Sequence, residues 1–311
     1  MPRGGVLDTA IICGSIDNVE NAQLQHAFEL AGLRCAMMLP EEVAIGVSLN
    51  HAFEHDKIDL DAIPGFIVRG IGITTLTKSF FRLDVLYSLE QRGKTLINSA
   101  RATEMAMNKT LASVTIDSAG IPTPATVVTE NLNHALAAFD RLGGDVVIKP
   151  VYGSRGTGMF RIQDKGVAEH LLIELFRNGC AFYIQQYHPW SAPGGIEAKH
   201  PFDVRIIVIG DEIAGSMMRE SPSDAQWKTN VHQGAMPRPY SPGNEEIELA
   251  LKAAKSLRLE IAGVDLLHSS LTGSWIVLEA NCAPGWTGLS KASNTDIPAR
   301  IVDYYRRKLK C

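Results

Sequence analysis

The sequence predicts an α/β (α+β) chain, with an open, mostly parallel α/β layer followed by antiparallel units. Three observations predict it. Apolar runs and helical patterns alternate over the first hundred residues, the signature of a parallel sheet covered by helices. Pro122 and Pro124 then forbid helix and favour an extended crossing. Beyond them, short β-like runs follow one another across glycine-bearing turns.

Taken in order, residues 9–13 read as a first strand, and residues 18–31 as a helix ending at Gly32. The opening apolar run is short, follows only Arg3, and is broken by Gly14-Ser15, so it is a strand and not a secretory signal. Residues 34–39 form a second strand stopped by Pro40, and residues 65–70 another short apolar run. A helix over 80–91 closes at Gly93, a strand follows at 95–98, and residues 101–120 read as helices. In the remainder, strands are expected at 146–150, 159–162, 182–187, 203–209, 212–218, 263–267 and 275–280. Helices are expected at 166–178, at 245–257 and from Ile297 onward.

The 311 residues have room for two or three compact units. Hydrophobic content of 45%, charged content of 21% and a mean hydropathy of +0.01 are those of a soluble globular protein. No apolar run reaches the roughly 20 residues that span a bilayer, so no membrane partner is expected. A net charge of −4 argues against nucleic acid. The basic end, Arg306-Arg307-Lys308-Leu309-Lys310, reads as a helix terminus whose cations oppose the dipole. Five scattered cysteines without a Cys-x-x-Cys pair suggest neither zinc nor disulfides, which points to the cytoplasm.

Gly153-Ser154-Arg155-Gly156-Thr157-Gly158 follows a strand that ends in Lys149. Successive bare amides can hold phosphate oxygens, and Arg155 adds charge. No Gly-Lys-Ser/Thr follows, and the next residues are β-like, so neither a Walker A loop nor a Rossmann turn fits. The loop is either an ordinary turn or a hairpin lid over a nucleotide; Lys149 at the mouth of a buried strand favours the lid. Lys109, at a helix start after Asn108, is a second phosphate candidate or a surface residue.

Asp265 interrupts one apolar strand, and Glu279 and Asn281 interrupt the next. Buried carboxylates need a cation. Period two puts Glu279 and Asn281 on one face, and a three-residue turn, Leu271-Thr272-Gly273, would set Asp265 opposite Glu279. Two carboxylates and an amide make a site for a hard cation, magnesium or manganese, the alternative being a capped turn with salt-bridged acids. The following Cys282 has no identifiable base and reads as a small buried filler. Between loop and carboxylates lie Arg205 and Arg219 on expected strands, suited to phosphate or carboxylate. Lys228, Asn230 and His232 alternate, so an extended segment would show all three on one face.

In order and spacing these segments resemble the ATP-grasp superfamily, and within it the RimK-like α-L-glutamate ligases. Arg69-Gly70-Ile71-Gly72 and the stretch around Arg82 resemble the tetrahydromethanopterin ligase branch. The resemblance implies an α/β pre-ATP-grasp domain (residues 1–106), a central lid (107–188) and a metal-carrying domain (189–311). By residue match, Lys109, Lys149 and the loop Gly153, Ser154, Arg155, Gly156, Thr157 and Gly158 would hold ATP. Gln185, Gln186, Tyr187 and His188 would face the nucleotide, although Gln186 stands where many relatives carry a glutamate. Asp265, Glu279 and Asn281 would bind two ions. Arg205 and Arg219 would stabilise phosphate or acyl phosphate, and Arg219, Lys228 and Asn230 would hold the amino acid. The implied reaction joins L-glutamate to a small acid through an acyl phosphate, and a homo-oligomer stays open. The alternatives are another acceptor (a different coenzyme, an amino-acid derivative or a protein C-terminus), a kinase on the same scaffold, or a nucleotide-binding regulator without turnover.

Overall fold

The computed structural model describes residues 7–49, 52–152 and 157–310, with the backbone alone at His232. Strand β1 (Thr9–Cys13) leads into helix α1 (Val19–Leu30), which is capped by the Asn18 side chain. After β2 (Cys35–Met38) come two short strands, β3 (Ala44–Ile45) and β4 (Phe53–Glu54), then β5 (Gly65–Arg69). Helix α2 (Leu76–Gln91) and β6 (Thr95–Ile97) complete the first unit. Its sheet has the order β2-β1-β5-β6 with every pair parallel. The alternation of apolar runs and helices therefore reports what it should, a parallel sheet covered by helices.

Helices α3 (Ala100–Met107) and α4 (Lys109–Ser118) are capped by Ser99 and Asn108. The chain then crosses to β7 (Thr126–Thr129), α5 (Leu132–Arg141), β8 (Val146–Lys149), β9 (Phe160–Ile162), α6 (Lys165–Arg177) and β10 (Phe182–Gln186). The strands form an antiparallel sheet in the order β7-β10-β8-β9. Its core, built on Phe139, Val146, Ile148, Leu172, Phe182 and Ile184, draws on this segment alone.

The third sheet runs β13-β12-β11-β14-β15, all antiparallel. It comprises β11 (Phe202–Ile209), β12 (Glu212–Glu220), β13 (Met236–Pro239), β14 (Ile261–Ser269) and β15 (Ser274–Asn281). Helix α7 (Asn244–Ser256) covers one face, and α8 (Thr287–Ser293) and α9 (Ile297–Leu309) cover part of the other. Ile11 and Phe28 share a core with Ile207, Trp286 and Tyr305, which joins the first sheet to the third. Asn98 reinforces that joint: its buried amide donates to the carbonyls of Ile261 and Cys282 and accepts from the amides of Glu260 and Ile261.

Three expectations are corrected. Strand β7 and helices α5 and α8 occupy stretches with no assigned element. Strand β13 forms despite Pro237 and Pro239 because it is an edge, where a missing donor costs nothing. The turn of the β14–β15 hairpin is also one residue longer than predicted.

Candidate active site

Cross-strand register builds the site. Arg205 on β11 lies opposite Asp265 on β14, and Asp265 lies opposite Glu279 on β15. One step along, Asp203 lies opposite Arg219; one step the other way, Gly263 lies opposite Asn281. Residues two apart share a face, so Asp203, Arg219, Arg205, Asp265, Glu279 and Asn281 form one polar surface. On the reverse face Val204, Ile206, Val264, Leu266 and Ala280 pack into the apolar core. The pairing of Asp265 with Glu279 is thus the expected one, reached by another route. Ser269 pairs with Ser274, so the turn has four residues, and a register shift between Asp265 and Leu266 absorbs the extra one.

The Asp265 carboxylate is buried and takes bonds from Arg205 Nε at 2.7 Å and Arg205 Nη2 at 2.6 Å. Arg219 Nη2 approaches it at 3.0 Å. Burial alone would raise the Asp265 carboxyl, but the two guanidinium groups outweigh it and hold the group anionic, well below the usual carboxylate range. Arg219 is itself buried and grips Asp203 with Nε at 2.6 Å and Nη2 at 2.5 Å. Burial opposes its charge, and Asp203 and Asp265 more than restore it. Glu279 and Asn281 are half-buried, with Asn281 Nδ2 donating to Glu279 Oε1 at 2.9 Å. Among the described residues no group of three or more His, Cys, Asp or Glu is gathered for a metal. The set here is two carboxylates and one amide oxygen, a donor chemistry suited to magnesium or manganese. At Gly263 a Cβ would lie 2.7 Å from Pro284 Cβ, so the glycine lets the segment after Asn281 fold back over the sheet.

Lys149 ends β8 and Lys109 opens α4, whose backbone amide donates to Val151 O. Burial lowers both lysines, Lys149 to about 8, while the charge of Glu279 acts on each in the opposite sense. The two ammonium groups therefore sense the same carboxylate. Lys149 Nζ donates to Gln185 Oε1 at 2.5 Å, and the Gln185 amide nitrogen donates to Thr126 and Tyr183. The buried Gln185 side chain thus orients Lys149. Strands β8 and β9 pair as the expected hairpin. Gly153, Ser154, Arg155 and Gly156 lie outside the described residues, while Thr157 and Gly158 are exposed.

At the connection after β10, the amides of Gln186 and Tyr187 donate to Ala125 O and Asp145 O. His188 Nδ1 meets Ser269 Oγ at 2.8 Å, and its Nε2 is buried without a partner. Tyr187 lies under the Arg161 guanidinium at 3.5 Å and edge-on to Trp227 at 6.1 Å. The Trp227 segment is not extended throughout: a 3-10 turn at Val231–Gln233 ends the period-two pattern after Asn230, which corrects the expected common face of Lys228, Asn230 and His232. Cys282 is a buried thiol pushed up to about 11 by burial, as suits a filler. Asp203 is the member of the polar surface that sequence reasoning did not assign; the signal was available in its period-two spacing from Arg205 on a strand otherwise apolar.

Residues 106–305 match the RimK-like ATP-grasp domain. The chain is 33% identical over 270 residues to the tetrahydromethanopterin:alpha-L-glutamate ligase of Methanocaldococcus jannaschii, covering 86% of this chain and 87% of the relative. It is 27% identical over 230 residues to the ribosomal protein bS6–L-glutamate ligase of Escherichia coli, covering 74% and 73%. Among solved structures it resembles the ATP-grasp ligase PsnB complexed with a minimal precursor, Mg and ADP, at a TM-score of 0.70 and 18% identity over 98% of this chain and 99% of that one. The protein is an ATP-dependent, ADP-forming carboxylate–amine ligase. It belongs to the RimK-like ATP-grasp family, whose ligases use ATP with magnesium or manganese. Among the described residues no helix is long and apolar enough to cross a membrane.

Proposed function

We propose that the protein joins L-glutamate to a small-molecule carboxylic acid, of the type of a tetrahydromethanopterin-like one-carbon carrier, in the cytoplasm. One observation carries the amino acid. Relatives named for a coenzyme acceptor and for a protein acceptor share L-glutamate as the group transferred. The higher identity and coverage of the coenzyme ligase favour a small acid over a protein.

In this reading residues 1–106 form the pre-ATP-grasp unit, 107–188 the lid and 189–311 the unit that carries the metals. ATP lies between lid and third sheet, with Lys109, Lys149 and the loop Gly153, Ser154, Arg155, Gly156, Thr157 and Gly158 at its phosphates. The backbone around Gln186, Tyr187 and His188 borders the base. Two divalent cations held by Asp265, Glu279 and Asn281 would neutralise charge on the phosphate oxygens. The fit rests on three oxygen side chains sharing one face, with Asp265 kept anionic.

A carboxylate is a poor electrophile because its oxygen cannot leave. Its attack on the γ-phosphorus breaks the bond to ADP and yields an acyl phosphate. Arg205 and Arg219 offset the negative charge that builds on the transferred group. Lys228 and Asn230 hold the glutamate, whose amine attacks the acyl carbon; phosphate departs and the amine proton passes to solvent or phosphate. Closure of the lid keeps water from the acyl phosphate.

The test is ADP release against a panel of acids and amines. The proposal expects release to need both an acid and L-glutamate. Release with an acid or alcohol alone, leaving a stable phosphorylated product, would assign a kinase instead.

A further inference from the structure

Asp203 is bonded to two parts of the site at once. Its carboxylate, buried with 3% of the residue exposed, receives the Arg219 guanidinium through Nε at 2.6 Å and Nη2 at 2.5 Å. The same Oδ2 accepts the hydroxyl of Thr229. Thr229 stands between Lys228 and Asn230, in a segment with no strand partners of its own. Three other contacts hold that segment. Trp227 packs edge-on against Tyr187 at the connection leaving the lid. The Lys228 carbonyl accepts from Ser221 Oγ at 3.0 Å and from Gln226 Nε2 at 3.2 Å.

We infer that Asp203 is a positioning residue for the incoming amino acid: it fixes the Trp227–Thr229–Asn230 segment and Arg219 as one unit, so that the α-carboxylate and side chain of the amino acid meet cations already in place. This rests on the proposed glutamate ligase reading. The chemistry is that of preorganisation. An irregular segment carrying a lysine and an amide would otherwise lose freedom when ligand arrives, and prior anchoring removes that cost. An anionic anchor suits the task because one carboxylate satisfies a guanidinium fork and still has a lone pair for a hydroxyl. The neutral amide introduced by Asp203→Asn can keep one bond but loses the charge that holds the fork.

The experiment has two readouts on Asp203→Asn, Thr229→Val and Thr229→Ser. The first is amide hydrogen exchange across residues 227–231 in the substrate-free protein, which needs no ligand. We expect exchange to quicken about tenfold or more in Asp203→Asn and Thr229→Val, and to stay within about twofold of wild type in Thr229→Ser. The second is L-glutamate affinity of the ADP–magnesium complex, followed by Trp227 fluorescence with Trp227→Phe as the control for signal origin. Affinity should fall more than about tenfold in Asp203→Asn and about three- to tenfold in Thr229→Val, with recovery in Thr229→Ser and ADP affinity held within about twofold. Unchanged exchange in both disruptive variants overturns the tie itself. Faster exchange with unchanged glutamate affinity, or an equal loss of ADP affinity, overturns the positioning role. Wild-type protein that ignores L-glutamate overturns the proposed function, while the exchange readout still decides the tie.

Discussion

At the scale of single residues, charge balance governs the site. Burial holds Lys149 near 8 in the free protein, whereas an unfolded lysine titrates near 10.4. Between these values the unfolded chain binds more protons than the folded one. The cost of burying this ammonium is therefore full below about 8 and is relieved as pH rises through the window. Phosphate oxygens favour the charged form, so ATP binding at pH 9 is expected to take up a proton. Calorimetry in two buffers of different ionisation enthalpy would detect it, and Lys149→Met should reduce the uptake, leaving only what Lys109 contributes. Glu279 is the half-buried carboxylate that both lysines sense. Glu279→Ala should lower ADP release at least about a hundredfold. Thermal unfolding should change little, because the side chain is half-buried and bonds to its near neighbour Asn281. Near-normal turnover in that variant would remove the metal assignment.

At the scale of elements, the β14–β15 hairpin shows what could be read from sequence. Period two and an apolar background were enough to place Asp265, Glu279 and Asn281 together, because a strand has only two faces. The four-residue turn and the register shift were not legible, since either a shorter turn or a bulge restores the same pairing. Gly273 has φ of 66° with nothing within 4 Å of a built Cβ. Gly273→Ala should therefore cost about 1 kcal/mol through backbone strain alone, visible as a lower denaturation midpoint with turnover intact. Helix α5 was legible and was passed over: Leu132, Ala135, Leu136 and Phe139 recur at helical spacing and face one core. The segment at Trp227–Gln233 escaped for another reason: its shape follows from a bond to Asp203 and a ring contact with Tyr187, both remote in sequence.

At the scale of the molecule, the first and third sheets share a core and the second keeps its own. The parallel order of the first sheet was legible from alternation; the joint between it and the third sheet, built on Asn98, Trp286 and Tyr305, was not, because no local pattern encodes it. The separate core of the second sheet suits the proposed lid role, in which nucleotide would bridge that unit to the third sheet. ATP with magnesium at a hundredfold excess over Kd should stabilise the protein by about 2.7 kcal/mol. A chelator should remove most of that gain in thermal unfolding, since the phosphates would then face Asp265 and Glu279 without a cation between them.

The acyl phosphate is the centre of the account, and isotope transfer tests it most directly. With the acceptor acid labelled by oxygen-18 in its carboxylate, one labelled oxygen should appear in the inorganic phosphate for each amide bond formed. Phosphate free of label, with amide still produced, would contradict the account.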